Sequence, residues 1–154
     1  MIAQIKGKLV EKHPTHVIID CNGLGYMVHI SLHTFGQLGA DESIKLYTHL
    51  QVKEDSHTLF GFFQPIERTV FRLLISISGI GASIARTMLS SMSPQEIQHA
   101  ILSENLAAIK GVKGIGLKTA QRVLIELKDK VQKIEGNDEI PVLQSNRTKE
   151  ETLS

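Results

Sequence analysis

Residues 1–63 alternate short apolar stretches with turn-forming residues, a pattern typical of a small β-domain. The five apolar stretches are Ile2–Val10, Val17–Cys21, Tyr26–Ile30, Ile44–Val52 and Thr58–Phe62. Asn22-Gly23 is a strong hairpin signal, because both residues tolerate positive φ. About five short strands predict a small barrel or sandwich. A five-stranded oligonucleotide-binding (OB) barrel fits that count, although periodicity alone does not separate it from other small barrels.

Residues 64–134 instead place apolar residues three and four positions apart, the spacing of helices with one buried face. Pro65 is suited to the first turn of a helix. Ser93-Pro94-Gln95-Glu96 has the residues of a capping box, with proline at the first helical position. The last helix is predicted to bury five apolar side chains, those of Ala120, Val123, Leu124, Leu127 and Val131. This segment is therefore predicted to be an all-α domain.

Residues 135–154 lack apolar periodicity and are rich in acidic and polar side chains. They are predicted to form a flexible polar linker or tail. The expected fold class is therefore α+β, with three parts along the chain. Residues 1–63 form the barrel, residues 64–134 form the helical domain, and residues 135–154 form the tail.

The helical segment carries one pattern twice. Gly79 and Gly114 are 35 positions apart (114 − 79), and Gly81 and Gly116 repeat at the same interval. The other matched pairs are Ala85 with Ala120 and Leu89 with Leu124. A repeat of this length indicates a duplicated supersecondary unit. Each copy is predicted to be a helix, a Gly-Ile-Gly turn and a second helix, so the segment is predicted to be a tandem helix-hairpin-helix domain.

A Gly-Ile-Gly turn at a helix N-terminus is suited to binding an anion. Glycine permits close approach of a ligand to the backbone, and the first N–H groups of a helix have no intrahelical acceptor. The central isoleucine is expected to point back and hold the helices together. We predict that both turns bind DNA phosphates and read no base edges. The predicted phosphate-binding residues are Gly79, Gly81, Ala82, Ser83 and Arg86 in the first copy, and Gly114, Gly116, Leu117, Lys118, Thr119 and Arg122 in the second.

The charge distribution favours this interpretation. The formal net charge is only +1, but residues 64–134 carry ten Lys and Arg and five Asp and Glu, a net charge of +5 (10 − 5). Residues 1–63 carry −1 (5 − 6), and residues 135–154 carry −3 (2 − 5). Positive charge is thus concentrated in the segment with the repeats, as phosphate binding requires. The alternative is that each Gly-x-Gly is only a tight turn between helices, which two copies in register make less attractive.

Several other chemistries fit the sequence poorly. The stretch Gly111–Thr119 nearly matches a nucleotide P-loop, but Leu117 separates the second glycine from Lys118 and a helix is predicted before it. Neither copy has the third glycine of a dinucleotide-binding fingerprint. His13 and His16 are close in sequence but have no cysteine nearby, so no metal site is predicted. No cofactor is expected. Because no apolar run approaches the ~18 residues of a membrane span, a cytoplasmic protein without a membrane partner is expected.

The order of these features resembles the RuvA family, the Holliday-junction-binding subunits of bacterial RuvAB branch-migration complexes. The resemblance lies in the opening Met1–Gly7, in Val52–Phe62, in Glu67–Phe71 and in both Gly-Ile-Gly turns. It implies an OB barrel that assembles a homotetramer and a helical domain that holds duplex arms, with one or two tetramers on a junction. It also implies roles in recombination, DNA repair and the SOS response, with a RuvB-type hexameric ATPase and a RuvC-type resolvase as partners.

By the same resemblance, Glu54 and Asp55 form an acidic pin at the junction centre. Two carboxylates at a hairpin tip, repeated around a tetramer axis, repel phosphates and disfavour continuous duplex there. The family also has a small third helical domain that binds the ATPase. Ser154 stands about where that domain would begin, so direct coupling to the motor is not expected of these residues.

Two other classes of function stay open from the sequence. A DNA repair enzyme, either a structure-specific nuclease or a glycosylase, would use the hairpins only to hold DNA. Glu54 and Asp55 are then the one tight carboxylate pair for a nuclease, whereas Glu126 and Asp129 lie on an amphipathic helix that favours solvated roles. A protein-interaction module is the other class. The favoured prediction is a non-catalytic DNA-binding subunit without catalytic residues.

Overall fold

A computed structural model describes residues 1–40 and 42–137. The elements are β1 (Gln4–Lys12), β2 (His16–Cys21), β3 (Leu24–His29), α1 (Leu32–Gln37), β4 (Ser43–Lys53), β5 (Ser56–Phe62), α2 (Pro65–Ile75), α3 (Ala82–Ser91), α4 (Pro94–Leu102), α5 (Leu106–Lys110) and α6 (Leu117–Asn137). Helix α6 thus continues three residues (137 − 134) into the segment predicted as a tail. The rest of that predicted tail lies outside the described residues. The α+β class predicted from the sequence is confirmed.

The five strands form a closed barrel in the order β1-β2-β3-β5-β4. Neighbouring strands are antiparallel except β3 and β5, which are parallel and pair at His29 and Phe60. This order, with a helix between β3 and β4, is that of an OB fold, so the predicted barrel is confirmed. Its interior is filled by alternate strand residues, and Val17, Ile19 and Leu46 are fully buried. On β5 the outward residues Phe60 and Phe62 are buried as well, because they belong to the cluster of the helical domain.

The predicted hairpin at Asn22-Gly23 joins β2 to β3. Asn22 has φ 54° and Gly23 has φ 94°, as a two-residue hairpin loop with positive φ at both positions requires. The Gly23 N–H donates to Asp20 Oδ1 at 2.6 Å. The local sequence therefore fixes the register between these two strands.

Helix α1 was not predicted, and a buried polar cluster holds it in place. Ser31 caps its N-terminus by accepting a hydrogen bond from the Thr34 N–H at 3.1 Å. The hydroxyls of Ser31 and Thr34 both donate to the carboxylate of Glu67 on α2, the latter at 2.5 Å. The Phe63 N–H donates to Thr34 Oγ1 at 3.2 Å. Glu67 is fully buried, and this burial raises the pKa of its carboxyl group above the ordinary range.

The barrel and the helices share one hydrophobic cluster. The ring centroid of Phe71 on α2 lies 5.2 Å from that of Phe60 and 5.0 Å from that of Phe62. Both partner rings come from β5, so the last strand of the barrel belongs to the core of the helical domain. Packing of this kind fixes the orientation of α2 on the barrel.

The predicted capping box and the buried face of α6 are confirmed. Ser93 Oγ accepts from the Glu96 N–H at 3.1 Å, and Glu96 Oε1 accepts from the Ser93 N–H at 2.7 Å. On α6 four of the predicted apolar side chains are buried and Leu124 is half-buried; the four are Ala120, Val123, Leu127 and Val131.

The 35-residue repeat is reproduced in the backbone hydrogen bonds. The Ile80 N–H donates to the carbonyl of Ile77 at 3.0 Å, and the Ile115 N–H donates to the carbonyl of Val112 at 3.2 Å. Donors and acceptors are both 35 positions apart (115 − 80 and 112 − 77). The two Gly-Ile-Gly turns are therefore two copies of one local structure.

Candidate nucleic-acid interface

The two glycines of each turn have different conformations. Gly79 and Gly114 have φ of 99° and 96°, which side chains other than glycine rarely adopt. Gly81 has φ −90° and ψ 178°, an extended conformation open to any residue. A Cβ atom added at Gly81 or at Gly116 would meet nothing within 4 Å. The backbone conformation of Gly81 does not require glycine, and the packing around Gly81 and Gly116 does not require it either. Because glycine has no side chain, the backbone at both positions is open to a ligand from outside.

The central isoleucine of each turn points into the core, as predicted. Ile80 is 4% exposed and Ile115 is 6% exposed. Each belongs to the hydrophobic cluster that joins the helices. The groups that each turn presents to solvent are therefore its glycines and the first residues of the following helix, α3 or α6.

The two turns pack on each other reciprocally. A Cβ atom on Gly79 would lie 3.2 Å from Thr119 Oγ1, and one on Gly114 would lie 3.6 Å from Ile84 Cγ1. Thr119 follows Ile84 by 35 positions (119 − 84), so each turn contacts the equivalent position of the other helix. This reciprocity relates the hairpins by an approximate two-fold axis and places the turns side by side. Thr119, a predicted phosphate ligand, is half-buried between them.

Cations surround the second turn. Lys118 is exposed in the first turn of α6, as predicted. The Arg122 Nη1 donates to the carbonyl of Ser78 at 3.3 Å, and its Nε lies 3.6 Å from Glu126 Oε2. Lys113, which immediately precedes the turn, is also exposed. Lys113 was not among the phosphate-binding residues predicted from the sequence, although a lysine directly before a glycine turn could have indicated it.

The first turn differs in where its predicted ligands lie. Ser83 is exposed, whereas Ala82 as a whole residue is buried, with 7% of its surface exposed. Arg86 is half-buried against the barrel. Its Nη1 donates to the carbonyl of Thr15 at 3.2 Å and lies 3.2 Å from Nδ1 of His29. The sequence predicted Arg86 as a phosphate-binding residue, and the structure places its guanidinium on the barrel.

A groove of about 390 Å³ separates the first turn from the barrel. Lys53 and Gln51 of β4 line one side, and Gly81 and Ser83 line the other. Ser83 occupies the position at which the second copy has Lys118, so Lys53 brings a cation close to a turn that has none there. Sequence reasoning missed Lys53 because it belongs to the other domain and only the tertiary fold brings it to α3.

Glu54 and Asp55 form the tip of the β4–β5 hairpin. The register pair Lys53 and Ser56 closes this two-residue loop, and both acidic side chains are exposed. The tip therefore presents two carboxylates to solvent directly beyond the groove that contains Lys53.

His13 and His16, which are close in sequence, also lie together in space. The rings of His13 and His16 stack at 4.6 Å, and His13 Nε2 lies 3.1 Å from Glu11 Oε1. Within residues 1–40 and 42–137, no three or more His, Cys, Asp or Glu side chains are grouped so that they could hold a metal ion. Across the same ranges, no helix has the length and apolar character needed to cross a membrane.

An OB barrel joined to two paired Gly-Ile-Gly hairpins defines a helix-hairpin-helix protein of mixed α+β architecture. Comparison with known families agrees: the RuvA N terminal domain model matches residues 1–61, and the SAM-like helix-hairpin-helix tandem model matches residues 71–129. The chain belongs to the RuvA family.

Its relatives include proteins named Holliday junction branch migration complex subunit RuvA. The one from Christiangramia forsetii is 60% identical over 154 residues, which is 100% of this chain and 80% of that protein. The one from Flavobacterium psychrophilum is 58% identical over 154 residues, which is again 100% of this chain and 80% of that protein. The one from Azobacteroides pseudotrichonymphae is 46% identical over 153 residues, 97% of this chain and 78% of that protein.

Proposed function

We propose that this chain binds four-way (Holliday) DNA junctions, without regard to base sequence, as the non-catalytic DNA-binding subunit of a branch migration complex. Its relatives carry the name of that complex subunit. The structural observation that carries the proposal is the second glycine of each turn. Gly81 and Gly116 leave the backbone bare where the protein itself would accommodate a side chain. A ligand that approaches from outside accounts for this.

Each turn holds a phosphate through backbone N–H groups at the start of a long helix. The N–H groups near Gly81 and Ser83 begin α3, and those near Gly116 and Lys118 begin α6. The first N–H groups of a helix have no intrahelical acceptor, and the helix dipole adds about half a positive charge there. The proposed phosphate-binding residues are Gly79, Gly81, Ala82, Ser83, Gly114, Gly116, Leu117, Lys118, Thr119 and Arg122, and we add Lys53 and Lys113.

The approximate two-fold axis between the turns suits duplex DNA. The two strands of a duplex run in opposite directions, so two equivalent phosphate sites across the minor groove are related by a two-fold axis. The reciprocal contacts of Gly79 and Gly114 support such a pairing. Because all these groups bind phosphates and none contacts a base, one chain holds one duplex arm of any base sequence.

The carboxylates of Glu54 and Asp55 select junctions over duplex. In a homotetramer the four tips meet around one axis, where they repel phosphates and exclude a continuous duplex. At an open junction the strands separate at the centre, and each passes from the tip toward a hairpin. The exposure of both carboxylates supports this role.

The division of labour follows from these roles. We propose that residues 1–63 assemble the tetramer, with one or two tetramers on a junction, and that residues 64–134 bind DNA. A RuvB-type hexameric ATPase supplies the energy, and a RuvC-type resolvase is a further partner, in the cytoplasm. A repair enzyme is not favoured, because Glu54 and Asp55 have no third metal-binding side chain grouped with them among the described residues.

The test compares a four-way junction with a linear duplex of equal length in gel-shift titrations. We expect the chain to prefer the junction, and we expect Gly81→Val and Gly116→Val to weaken binding to both DNAs without loss of thermal stability. Gly39→Val is the matched control, because a Cβ at Gly39 also meets nothing within 4 Å but lies after α1. Equal affinity of the wild type for junction and duplex would remove the proposal, and so would unimpaired binding by both valine variants.

A further inference from the structure

Arg86 joins the first hairpin to the barrel over a long sequence separation. Its Nη1 donates to the carbonyl of Thr15 in the β1–β2 loop, 71 residues away, at 3.2 Å. The same atom lies 3.2 Å from Nδ1 of His29, 57 residues away at the end of β3. Arg86 lies in the second turn of α3, shortly after Gly81 and Ser83. Its contacts therefore hold the start of that helix at a fixed place on the barrel.

The residue that Arg86 contacts on the barrel, His29, pairs with the strand that carries the acidic tip. His29 pairs with Phe60, which is where β3 meets β5 and the barrel closes. The ring centroids of His29 and Phe60 are 5.8 Å apart. Strand β5 runs from Ser56, beside the tip, to Phe62, so the strand that touches His29 is also the strand that carries the tip. Arg86 thus connects the first phosphate turn with the hairpin of Glu54 and Asp55.

We propose that Arg86 is a positioning residue, which fixes the distance and angle between the first Gly-Ile-Gly turn and the acidic tip through Thr15 and His29. This inference rests on the function proposed above and concerns how that function becomes specific. Binding to duplex needs only the hairpins. Preference for a junction needs a phosphate turn and the acidic tip at the separation that a strand spans as it leaves the junction centre.

The hydrogen bond between Arg86 and His29 depends on the protonation state of His29. The His29 Nδ1 can accept from Arg86 only when that nitrogen carries no proton. Burial, the Arg86 guanidinium and nearby His16 all lower the pKa of His29 from its ordinary value of 6.5. Lys53 lines the same groove as His29, and His16 stacks on His13, which contacts Glu11. At neutral pH the ring is therefore uncharged, and its Nε2–H tautomer offers Nδ1 as the acceptor. Acidification below the lowered pKa protonates Nδ1 and places two cations against each other.

Arg86→Ala separates the positioning role from direct phosphate binding. We expect the ratio of junction affinity to duplex affinity to fall about five- to ten-fold, the scale of a coupling between two sites. Duplex affinity and its salt dependence stay close to wild type. Lys118→Ala is the matched control: loss of a phosphate contact weakens both DNAs alike and lowers the slope of log affinity against log salt by about 0.9.

His29→Phe tests the same contact from the barrel side and keeps a ring against Phe60. At pH 7.5 it is expected to lower the junction-to-duplex ratio as Arg86→Ala does. In the wild type the ratio should fall as the pH drops through the lowered pKa of His29, whereas the His29→Phe ratio should no longer respond. This pH readout distinguishes positioning from a general loss of stability, which thermal unfolding of each variant reports.

The outcomes separate this inference from the proposed function. A wild type without junction preference would reject the proposed function. A wild type that prefers junctions, with Arg86→Ala and His29→Phe that retain the full ratio, would overturn the positioning role alone. Parallel loss of junction and duplex affinity in Arg86→Ala, with a lower salt slope, would overturn it as well and return Arg86 to the phosphate ligands.

Discussion

At the scale of single residues, each Gly-Ile-Gly turn uses its two glycines for different physical reasons. Gly114 adopts φ 96°, whereas a Cβ on Gly116 would stand in open space. The first glycine is a requirement of the fold, whereas the packing inside the chain would accept a side chain at the second. The sequence has glycine at both positions of the turn, and the structure shows that the two glycines are not equivalent.

Alanine substitutions are expected to separate the two roles. Gly114→Ala should lower the free energy of unfolding by about 1–3 kcal/mol, because its φ is unfavourable for a residue with a Cβ. Its Cβ meets Ile84 Cγ1 at 3.6 Å, an ordinary contact, so the loss comes from the backbone. Gly116→Ala should stay within about 0.5 kcal/mol of wild type. Urea unfolding measures both, and equal losses would contradict this division.

Glu67 makes stability depend on pH. Burial raises the pKa of this carboxyl above its ordinary value of 4.5, so the folded state holds the proton more tightly than the unfolded state does. The resulting stabilisation is complete below the ordinary pKa and is lost as the pH rises through the raised one. Glu67→Gln cannot titrate, so its stability relative to wild type should increase over that rise. Denaturant unfolding from pH 4 upward checks the sign, and a constant difference would contradict it.

At the scale of elements, the strands and long helices followed from local signals, but α1 did not. Helix α1 has only six residues, Leu32–Gln37, and includes Gly36. A segment this short shows no helical period, and isolated helices of that length are unstable. Its stability comes from Ser31 and Thr34, which donate to Glu67 on another domain. Local sequence carries no signal for a partner 33 or 36 residues away.

Two serine caps should therefore differ in importance. Ser93→Ala removes one N-cap and is expected to cost about 1 kcal/mol. Ser31→Ala removes an N-cap and also one of the donors to buried Glu67, so it should cost about 2–3 kcal/mol. Thermal or urea unfolding of both variants makes the comparison. If Ser31→Ala were no more destabilising than Ser93→Ala, the buried cluster would not hold α1 in place.

At the scale of the whole molecule, attraction and repulsion are placed on different domains. The helical segment carries the net positive charge, and the barrel presents Glu54 and Asp55 at its tip. The shared cluster of Phe60, Phe62 and Phe71 makes the two domains one packed body. Under the proposed function, this fixed relation between a phosphate-binding surface and a repulsive tip discriminates DNA shapes rather than sequences.

Removing the charge of the tip should therefore weaken discrimination and not binding. In Glu54→Gln with Asp55→Asn the hairpin keeps its shape, and affinity for linear duplex is expected to rise about five-fold as repulsion of roughly 1 kcal/mol is lost. The junction-to-duplex ratio should fall accordingly, most clearly at low salt. Competition gel shifts at two salt concentrations give the answer. Unchanged duplex affinity would mean that the tip does not meet DNA.

The sequence by itself determined a small five-stranded β-domain followed by paired helical hairpins, the repeat of 35 residues and the inward isoleucine of each turn. These follow from local conformational preferences and from apolar spacing, which act over a few residues. Only the tertiary structure decided that Arg86 lies against Thr15 and His29 and that Lys53 stands beside the first turn. Such contacts depend on how a closed barrel and a helical domain pack together, and no pattern within either segment encodes that distance.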